Sequence, residues 1–188
     1  MIKIESLKDY IGIIPNDDFI ELATKIYQIT NFICEDYPKY KEWYFQKQLP
    51  AIISDERNIL FIRNPKNKDE IISMACLKKD KQEQKICTLY VSNNCRELGI
   101  GTKIIEESLT WLGTTKPLVT LADYKLDMFK SIIKKYNWEL TEILEGIYNN
   151  RSKELCYNGA LSKKNNPNQN LYKRLVKTLK NRKEQLSN

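Results

Sequence analysis

The sequence predicts a mixed α/β (α+β) domain in which helices cover both faces of a mostly antiparallel sheet of six to seven strands, followed by a basic helix at the C terminus. Three observations support this fold class. Strand-like and helix-like hydrophobic periods alternate along the first 160 residues. Three strand-like runs follow one another between residues 58 and 91 through short polar connections, which favours an antiparallel meander. A length of 188 residues and a hydrophobic content of 41% suit one packed domain.

The amino-terminal half is predicted to contain a short strand, two helices and the meander. Alternating residues at 2–7 predict the strand. Pro15 and the acidic residues after it start a helix whose apolar positions recur at about 3.6-residue spacing up to Ile29. A second, aromatic-rich helix follows over 40–49 and ends at Pro50. The strands of the meander are predicted at 58–63, 70–77 and 85–91.

The carboxyl-terminal half alternates helices and strands. Apolar residues on one face predict helices over 99–112 and 126–136, and a strand with a buried composition lies between them over 117–121. Since a helix joins the last meander strand to this strand, the two should be parallel with a right-handed crossover, whereas the other strand pairs should be antiparallel. A hairpin of residues 138–148 and 154–157 completes the domain.

Composition excludes several kinds of chemistry. The sequence has no histidine, which removes Ser/His and Cys/His nucleophile pairs, imidazole acid–base catalysis and histidine-ligated zinc. The five cysteines show no CxxC spacing, so we expect reduced thiols and no metal site. No apolar run approaches the roughly 20 residues that cross a bilayer, and no secretory signal is visible. We therefore expect a cytoplasmic protein without a membrane span.

Basic charge is concentrated near the C terminus. The net charge is +7, and residues 161–188 carry eight basic residues against one acid, which leaves the first 160 residues neutral. We therefore divide the chain into a domain at 1–160 and a basic amphipathic tail at 161–188. Three interpretations of the tail remain open: docking of its apolar stripe on the domain or on a second subunit in a homodimer, contact with RNA or another polyanion, and contact with an anionic membrane.

A turn with two glycines, between the third meander strand and the next helix, is the main candidate site. It reads Arg96-Glu97-Leu98-Gly99-Ile100-Gly101-Thr102. Two glycines permit a tight turn and the close approach of a ligand, and the first amides of a helix lack internal partners and lie at its positive end. Such a turn can bind phosphate without a metal. A lone Gly-x-Gly also fits a plain strand-to-helix turn, so the spacing alone leaves both interpretations open.

The motif Arg96-x-x-Gly99-x-Gly101, preceded by Leu89-Tyr90-Val91 and followed by Lys103-Ile104-Ile105, resembles the R/Q-x-x-G-x-G/A signature of the GNAT superfamily of acyl-CoA-dependent N-acetyltransferases. The predicted order of elements also matches that fold over residues 1–160. The resemblance implies acetyl-CoA as the acetyl donor and a reaction without a metal.

The resemblance also implies where acetyl-CoA binds. The amides from Leu98 to Lys103 would hold the pyrophosphate, and the backbone of Leu89, Tyr90 and Val91 would pair with the pantetheine arm where the two parallel strands splay apart. Arg96 would add a charge-assisted contact, and Phe129 would pack against the arm. The implied cofactor-binding residues are Leu89, Tyr90, Val91, Arg96, Leu98, Gly99, Ile100, Gly101, Thr102, Lys103 and Phe129.

The proton donor familiar from many members of the superfamily is missing at its expected place. Those members carry a tyrosine in the phrase L-Y-E-K-L-G-F after the crossover strand, and the matching phrase here, at 132–138, has Ile133 at that position. Tyr124, just past the strand, and Tyr148, in the hairpin, are the candidate catalytic proton donors in its place. The glutamate that some members carry at the start of the motif strand is replaced by Lys85, and no general base is assigned.

The leading hypothesis is therefore an N-acetyltransferase that moves acetyl from acetyl-CoA to a primary amine by direct attack. The acceptor stays open among a small amine, a peptide or protein amine, and the α-amine of an aminoacyl-tRNA, to which the basic tail lends support. The alternative is a non-catalytic CoA-sensing or RNA-binding module on the same fold, motivated by Ile133 and the unassigned base.

Overall fold

The strands of the protein form one mixed seven-stranded sheet in a computed structural model that describes residues 2–161. They are β1 (Glu5–Ser6), β2 (Arg57–Asn64), β3 (Asn67–Lys79), β4 (Gln84–Val91), β5 (Leu118–Ala122), β6 (Leu140–Glu145) and β7 (Lys153–Tyr157). Their order across the sheet is β1-β2-β3-β4-β5-β7-β6. Neighbouring strands are antiparallel except for β4 and β5, which run parallel. The predicted fold class is confirmed, whereas the predicted basic tail lies, apart from Leu161, outside the described residues.

Helices pack on both faces of this sheet. On one face lie α1 (Asn16–Gln28) and α2 (Tyr40–Trp43), and on the other lie α3 (Ile100–Leu112) and α4 (Leu126–Lys135). Successive residues of a strand point to opposite faces. Phe61 therefore joins the core on the α1–α2 face while Ile62 joins the core on the α3–α4 face, and both are fully buried. Within residues 2–161, no helix combines the length and the apolar composition needed to cross a membrane.

Buried polar side chains attach the α1–α2 layer to itself and to the sheet. The hydroxyl of Tyr44 donates to the carbonyl oxygen of Ala23 at 2.9 Å, and Gln48 Nε2 donates to the carbonyl oxygen of Asn58 in β2 at 2.8 Å. A buried polar group without a partner costs about 1–3 kcal/mol, so these hydrogen bonds specify one position of the layer. They hold the two ends of the segment between α1 and α2, which borders the site described below.

Two elements differ from the prediction. β1 pairs only through Glu5 and Ser6, because Ile2 and Ile4 pack against the core without joining the ladder. The alternation at 2–7 therefore indicates burial and not a full strand. The second helix is regular only to Trp43 and continues as a π turn over Tyr44–Gln48, whose last side chain makes the bond to β2.

Parallel pairing between β4 and β5 is short and then stops. Only Lys85 with Leu118 and Ile86 with Val119 are paired. On its other side, β4 carries a β-bulge at Cys87, since the register with β3 skips that residue. On its other edge β5 pairs with β7 from Val119 to Ala122, and Thr120 faces Cys156. The two parallel strands thus splay apart, as the sequence resemblance implied, and the gap opens at the end of β4.

Candidate active site

The gap leaves one edge of β4 without a strand partner. Residues from Thr88 to Val91 are paired with β3 on one side and have no pairing with β5 on the other. An unpaired strand edge presents peptide N–H and C=O groups to any extended ligand. The predicted segment Leu89, Tyr90 and Val91 lies in this edge, and its side chains are half-buried.

The start of α3 lies directly after this edge. Gly99 is the residue before the helix and has φ 76°, a left-handed conformation that favours glycine, and no described side chain caps the helix. Gly101 is different, because its φ is not left-handed and an added Cβ would lie 3.6 Å from Cγ2 of Val91, an ordinary contact. The backbone thus accounts for the glycine at 99, whereas neither conformation nor packing requires one at 101.

The arrangement has the parts that acetyl-CoA needs. The first amides of α3 point out of the helix without a side-chain cap, and such amides at the positive end of a helix bind phosphate groups. Arg96 and Lys103 are exposed at the same end. The unpaired edge of β4 ends where the helix begins, so a pantetheine arm along the edge and a diphosphate at the helix would be continuous. Phe129 of α4 is half-buried against the α3–α4 core.

Two connections border the gap on the α1–α2 face of the sheet, which is opposite the face on which α3 packs. The segment after α1 and the connection between β6 and β7 are joined by hydrogen bonds from Asn149 Nδ2 to the carbonyl oxygen of Asp36 at 3.0 Å, and from an Arg151 guanidinium nitrogen to that of Glu35 at 3.0 Å. The ring of Phe32, about half exposed, lies 5.9 Å from the ring of Tyr90 at the end of β4. These contacts build a polar and aromatic wall beside the splayed strands.

A buried carboxylate lies within this wall. Glu154 of β7 is 5% exposed and accepts hydrogen bonds from the Tyr37 hydroxyl at 3.1 and 3.3 Å. Burial raises the pKa of Glu154, although hydrogen bonds from Thr120 and Tyr37 and the charges of Lys85 and Lys125 lower it in part. Burial and the Glu154 charge raise the pKa of Tyr37. Among the charged residues named above, this carboxylate is the one whose environment shifts its pKa towards neutrality.

The two tyrosines predicted as proton donors have different surroundings. The ring of Tyr148 packs edge-on against Tyr37 with 4.8 Å between centroids, and burial followed by the Glu154 charge raises its pKa to about 12. Tyr124 is 59% exposed, its hydroxyl donates to Asp36, and burial together with that hydrogen bond raises its pKa. Lys125 completes this outer cluster through an ion pair with Asp36 at 2.9 Å. Both hydroxyls stay protonated at neutral pH, but Tyr148 is the one beside the buried carboxylate.

Glu154 was not predicted as a site residue. The one hint in the sequence is weak: Cys156, two residues later on the same strand face, is of a residue type that is often buried, and the structure shows that it is fully buried. Ile133, in contrast, packs against the α3–α4 core, away from this cluster.

Within residues 2–161, no group of three or more cysteine, aspartate or glutamate side chains is placed to hold a metal ion.

Comparison with known proteins agrees with the geometry. Residues 17–121 match the family model described as the acetyltransferase (GNAT) family. Similar solved structures include a GNAT-family protein from Desulfovibrio desulfuricans, with 11% identity, a TM-score of 0.60, and coverage of 84% of this chain and 97% of that one. NAA60 from Arabidopsis thaliana in complex with acetyl-CoA has 14% identity, a TM-score of 0.59 and the same coverage.

A third similar structure is the ribosomal-protein-S18-alanine N-acetyltransferase from Escherichia coli, with 10% identity, a TM-score of 0.54, and coverage of 84% of this chain and 92% of that one. At these identities the likeness concerns the fold alone. No curated protein matches the sequence.

Proposed function

Because the chain belongs to the acetyltransferase (GNAT) family, we propose that it transfers acetyl from acetyl-CoA to a primary amine by direct attack, without a covalent enzyme intermediate. The observation that carries this proposal is the unpaired edge of β4 ending at the uncapped start of α3. An extended thioester along that edge would place its acetyl group in the gap, next to the wall on the α1–α2 face.

We assign acetyl-CoA binding to the residues that flank this junction. The amides of Leu98 to Lys103 hold the pyrophosphate with help from Arg96, and the β4 edge from Leu89 to Val91 pairs with the pantetheine arm. The glycine at 101 supports this assignment, because the fold would accept a side chain there and a closely approaching diphosphate would not.

Acetyl transfer requires a neutral amine nitrogen. At pH 7 a lysine-type amine with a pKa of about 10.4 costs roughly 4.6 kcal/mol to deprotonate, whereas an α-amine near 8 costs about 1.4 kcal/mol. The neutral nitrogen attacks the thioester carbonyl carbon, the C–S bond breaks, and the departing thiolate takes up a proton. We assign Tyr148 as the proton donor in preference to Tyr124, because Tyr148 lies beside the buried cluster and the Tyr124 hydroxyl donates to Asp36.

The acceptor class remains among three alternatives: a small amine, a peptide or protein amine, and the α-amine of an aminoacyl-tRNA. The name of the E. coli neighbour specifies an alanine of a ribosomal protein, which keeps a protein α-amine in this group. The basic composition of residues 162–188 keeps the RNA-borne acceptor in it.

A thiol-release assay over an amine panel tests the proposal. The panel contains a backbone-blocked lysine amide, a tripeptide with a free α-amine, a polyamine and an aminoacyl-tRNA. The chain is assayed at full length and as a variant ending at Leu161, which is kept because it is buried and its amide donates to Glu142. Acetyl-CoA binding without release of thiol for any acceptor would support the non-catalytic alternative, and loss of the tRNA reaction alone in the shortened chain would assign the tail to RNA.

A further inference from the structure

Glu154 is the one acidic residue that is buried in the described part of the chain. Within residues 2–161 its hydrogen-bond donors are the hydroxyls of Tyr37 and Thr120, not a lysine or an arginine. A buried carboxylate that lacks a bonded cation costs stability, so structure alone gives no reason to keep one at this place.

The carboxylate lies at the opening between the parallel strands. Glu154 faces Ala122 at the end of β5, and Thr120, which bonds its side chain, is the next β5 residue after the last pairing with β4. Tyr37 reaches it from the segment after α1, and Tyr148 packs on Tyr37 from the β6–β7 connection. Elements from both borders of the gap therefore converge on this one acidic group.

We propose that Glu154 is the proton acceptor for the incoming amine, reached through the hydroxyl of Tyr37. This inference rests on the proposed function. The ammonium gives a proton to the Tyr37 oxygen while the Tyr37 hydroxyl passes its own proton to Glu154, so that the tyrosine never becomes charged. The neutral nitrogen forms the N–C bond, the C–S bond breaks, and the nitrogen loses a second proton as the thiolate gains one. The proton on Glu154 leaves to water, which accounts for the single proton that the overall reaction releases.

The surroundings of Glu154 suit this role. Burial raises its pKa, which makes its ionised form a stronger base than an ordinary carboxylate. The groups that face it from the packed elements are Lys85 of β4, Lys125 before α4, Tyr37 and Tyr148. The two lysines counter the burial in part, and Lys125 is itself paired with Asp36.

The proposal predicts a specific pH dependence. With Glu154 ionised, the enzyme uses the ammonium form, so kcat/KM is level between the pKa of Glu154 and that of the amine. It falls at lower pH, as protonation of the raised-pKa carboxyl removes the base. In Glu154→Gln only the neutral amine reacts, so kcat/KM rises tenfold per pH unit up to the amine's pKa. The deficit of the variant at pH 7 should thus be about tenfold for an α-amine with a pKa near 8 and about 10³-fold for a lysine-type amine near 10.4, and it should nearly vanish at the pKa of the amine.

The experiment measures kcat/KM from about pH 5.5 to about pH 10, a range that spans the ionisation of the amines. The acceptor is the fastest one in the panel named above. Glu154→Gln and Tyr37→Phe should both show the tenfold rise per pH unit. Glu154→Asp, which keeps a carboxylate, should retain part of the level region. Matched controls are Glu145→Gln on the neighbouring strand, whose side chain is exposed and paired with Lys153, and Tyr136→Phe, a partly buried tyrosine on the opposite face.

Acetyl-CoA affinity, measured by calorimetry, should be unchanged in all these variants, which shows that each one folds. A deficit in Glu154→Gln that is the same at every pH, or no deficit, would overturn the role of Glu154 while leaving the proposed function intact. An unaltered protein that binds acetyl-CoA but acetylates no acceptor would overturn both.

Discussion

Replacement of Gly101 by glutamate tests whether the start of α3 binds a diphosphate. The fold should tolerate the change, because the φ of Gly101 is not left-handed and a Cβ would make only an ordinary contact with Val91. We therefore expect the free energy of unfolding to change by no more than about 0.5 kcal/mol. A carboxylate roughly 6 Å from each of two phosphate charges, at an effective dielectric constant of about 20, repels them by about 5 kcal/mol before salt screening.

This repulsion should weaken acetyl-CoA binding by about 10³-fold, which isothermal titration calorimetry can measure. Thr110→Glu is the matched control, since it adds the same charge to the exposed, far end of α3, about 13 Å along the axis and beyond the screening length of about 8 Å. Gly101→Ala separates bulk from charge and should reduce affinity less. Affinity for acetyl-CoA within threefold of the unaltered protein in Gly101→Glu would show that the diphosphate binds elsewhere.

Three further predictions concern stability. Gly99→Ala should lower the free energy of unfolding in urea by about 1–2 kcal/mol, because φ 76° is a left-handed conformation. Unchanged stability would contradict a left-handed conformation at this residue. Glu154→Gln should melt at an equal or higher temperature than the unaltered protein. Because the folded pKa of Glu154 is raised, the stability contributed by its protonated form is lost as pH rises through that pKa. The advantage of the variant in melting temperature should therefore grow as pH rises above the unfolded-state pKa of about 4.3. Burial raises the pKa of Asp36, but the hydrogen bonds from Tyr124 and Lys125 outweigh this effect, so the net pKa is lowered. Asp36→Asn should therefore reduce the free energy of unfolding by up to about 1 kcal/mol at pH 7 and by nothing in acid below the lowered pKa.

The sequence was sufficient to predict the free edge of β4 and the turn into α3, because these features are local in the chain. The edge of β4, the turn and the start of α3 lie within residues 87–103, and strand, glycines and helix each have a short-range pattern. Most elements were predicted correctly for the same reason. The exceptions, β1 and the π turn after Trp43, are places where burial and a side-chain bond to β2 decide the backbone.

The acceptor side could not be predicted in the same way. Tyr37 and Glu154 are 117 residues apart in the sequence, and each has neighbours that give it an ordinary local interpretation. Between Lys153 and Leu155, a glutamate fits the solvent side of a strand, and only the pairing of β7 with β5 shows that its face is covered. Long-range contacts of this kind are set by topology, which a hydrophobic period does not contain.

The two halves of the proposed reaction also lie on opposite faces of the sheet. α3 packs on the face that receives Leu89 and Val91, whereas Tyr37 belongs to the face that receives Cys87 and Tyr90. The gap between β4 and β5 connects these faces, so an acetyl group held from one side is exposed to an amine on the other. This separation explains how Ile133 is compatible with catalysis: it packs in the α3–α4 core, while the groups that can move protons are collected on the acceptor face. Changes at distant sites without shared partners are usually additive, so loss of cofactor affinity at the helix and loss of proton transfer at the carboxylate should combine as independent factors.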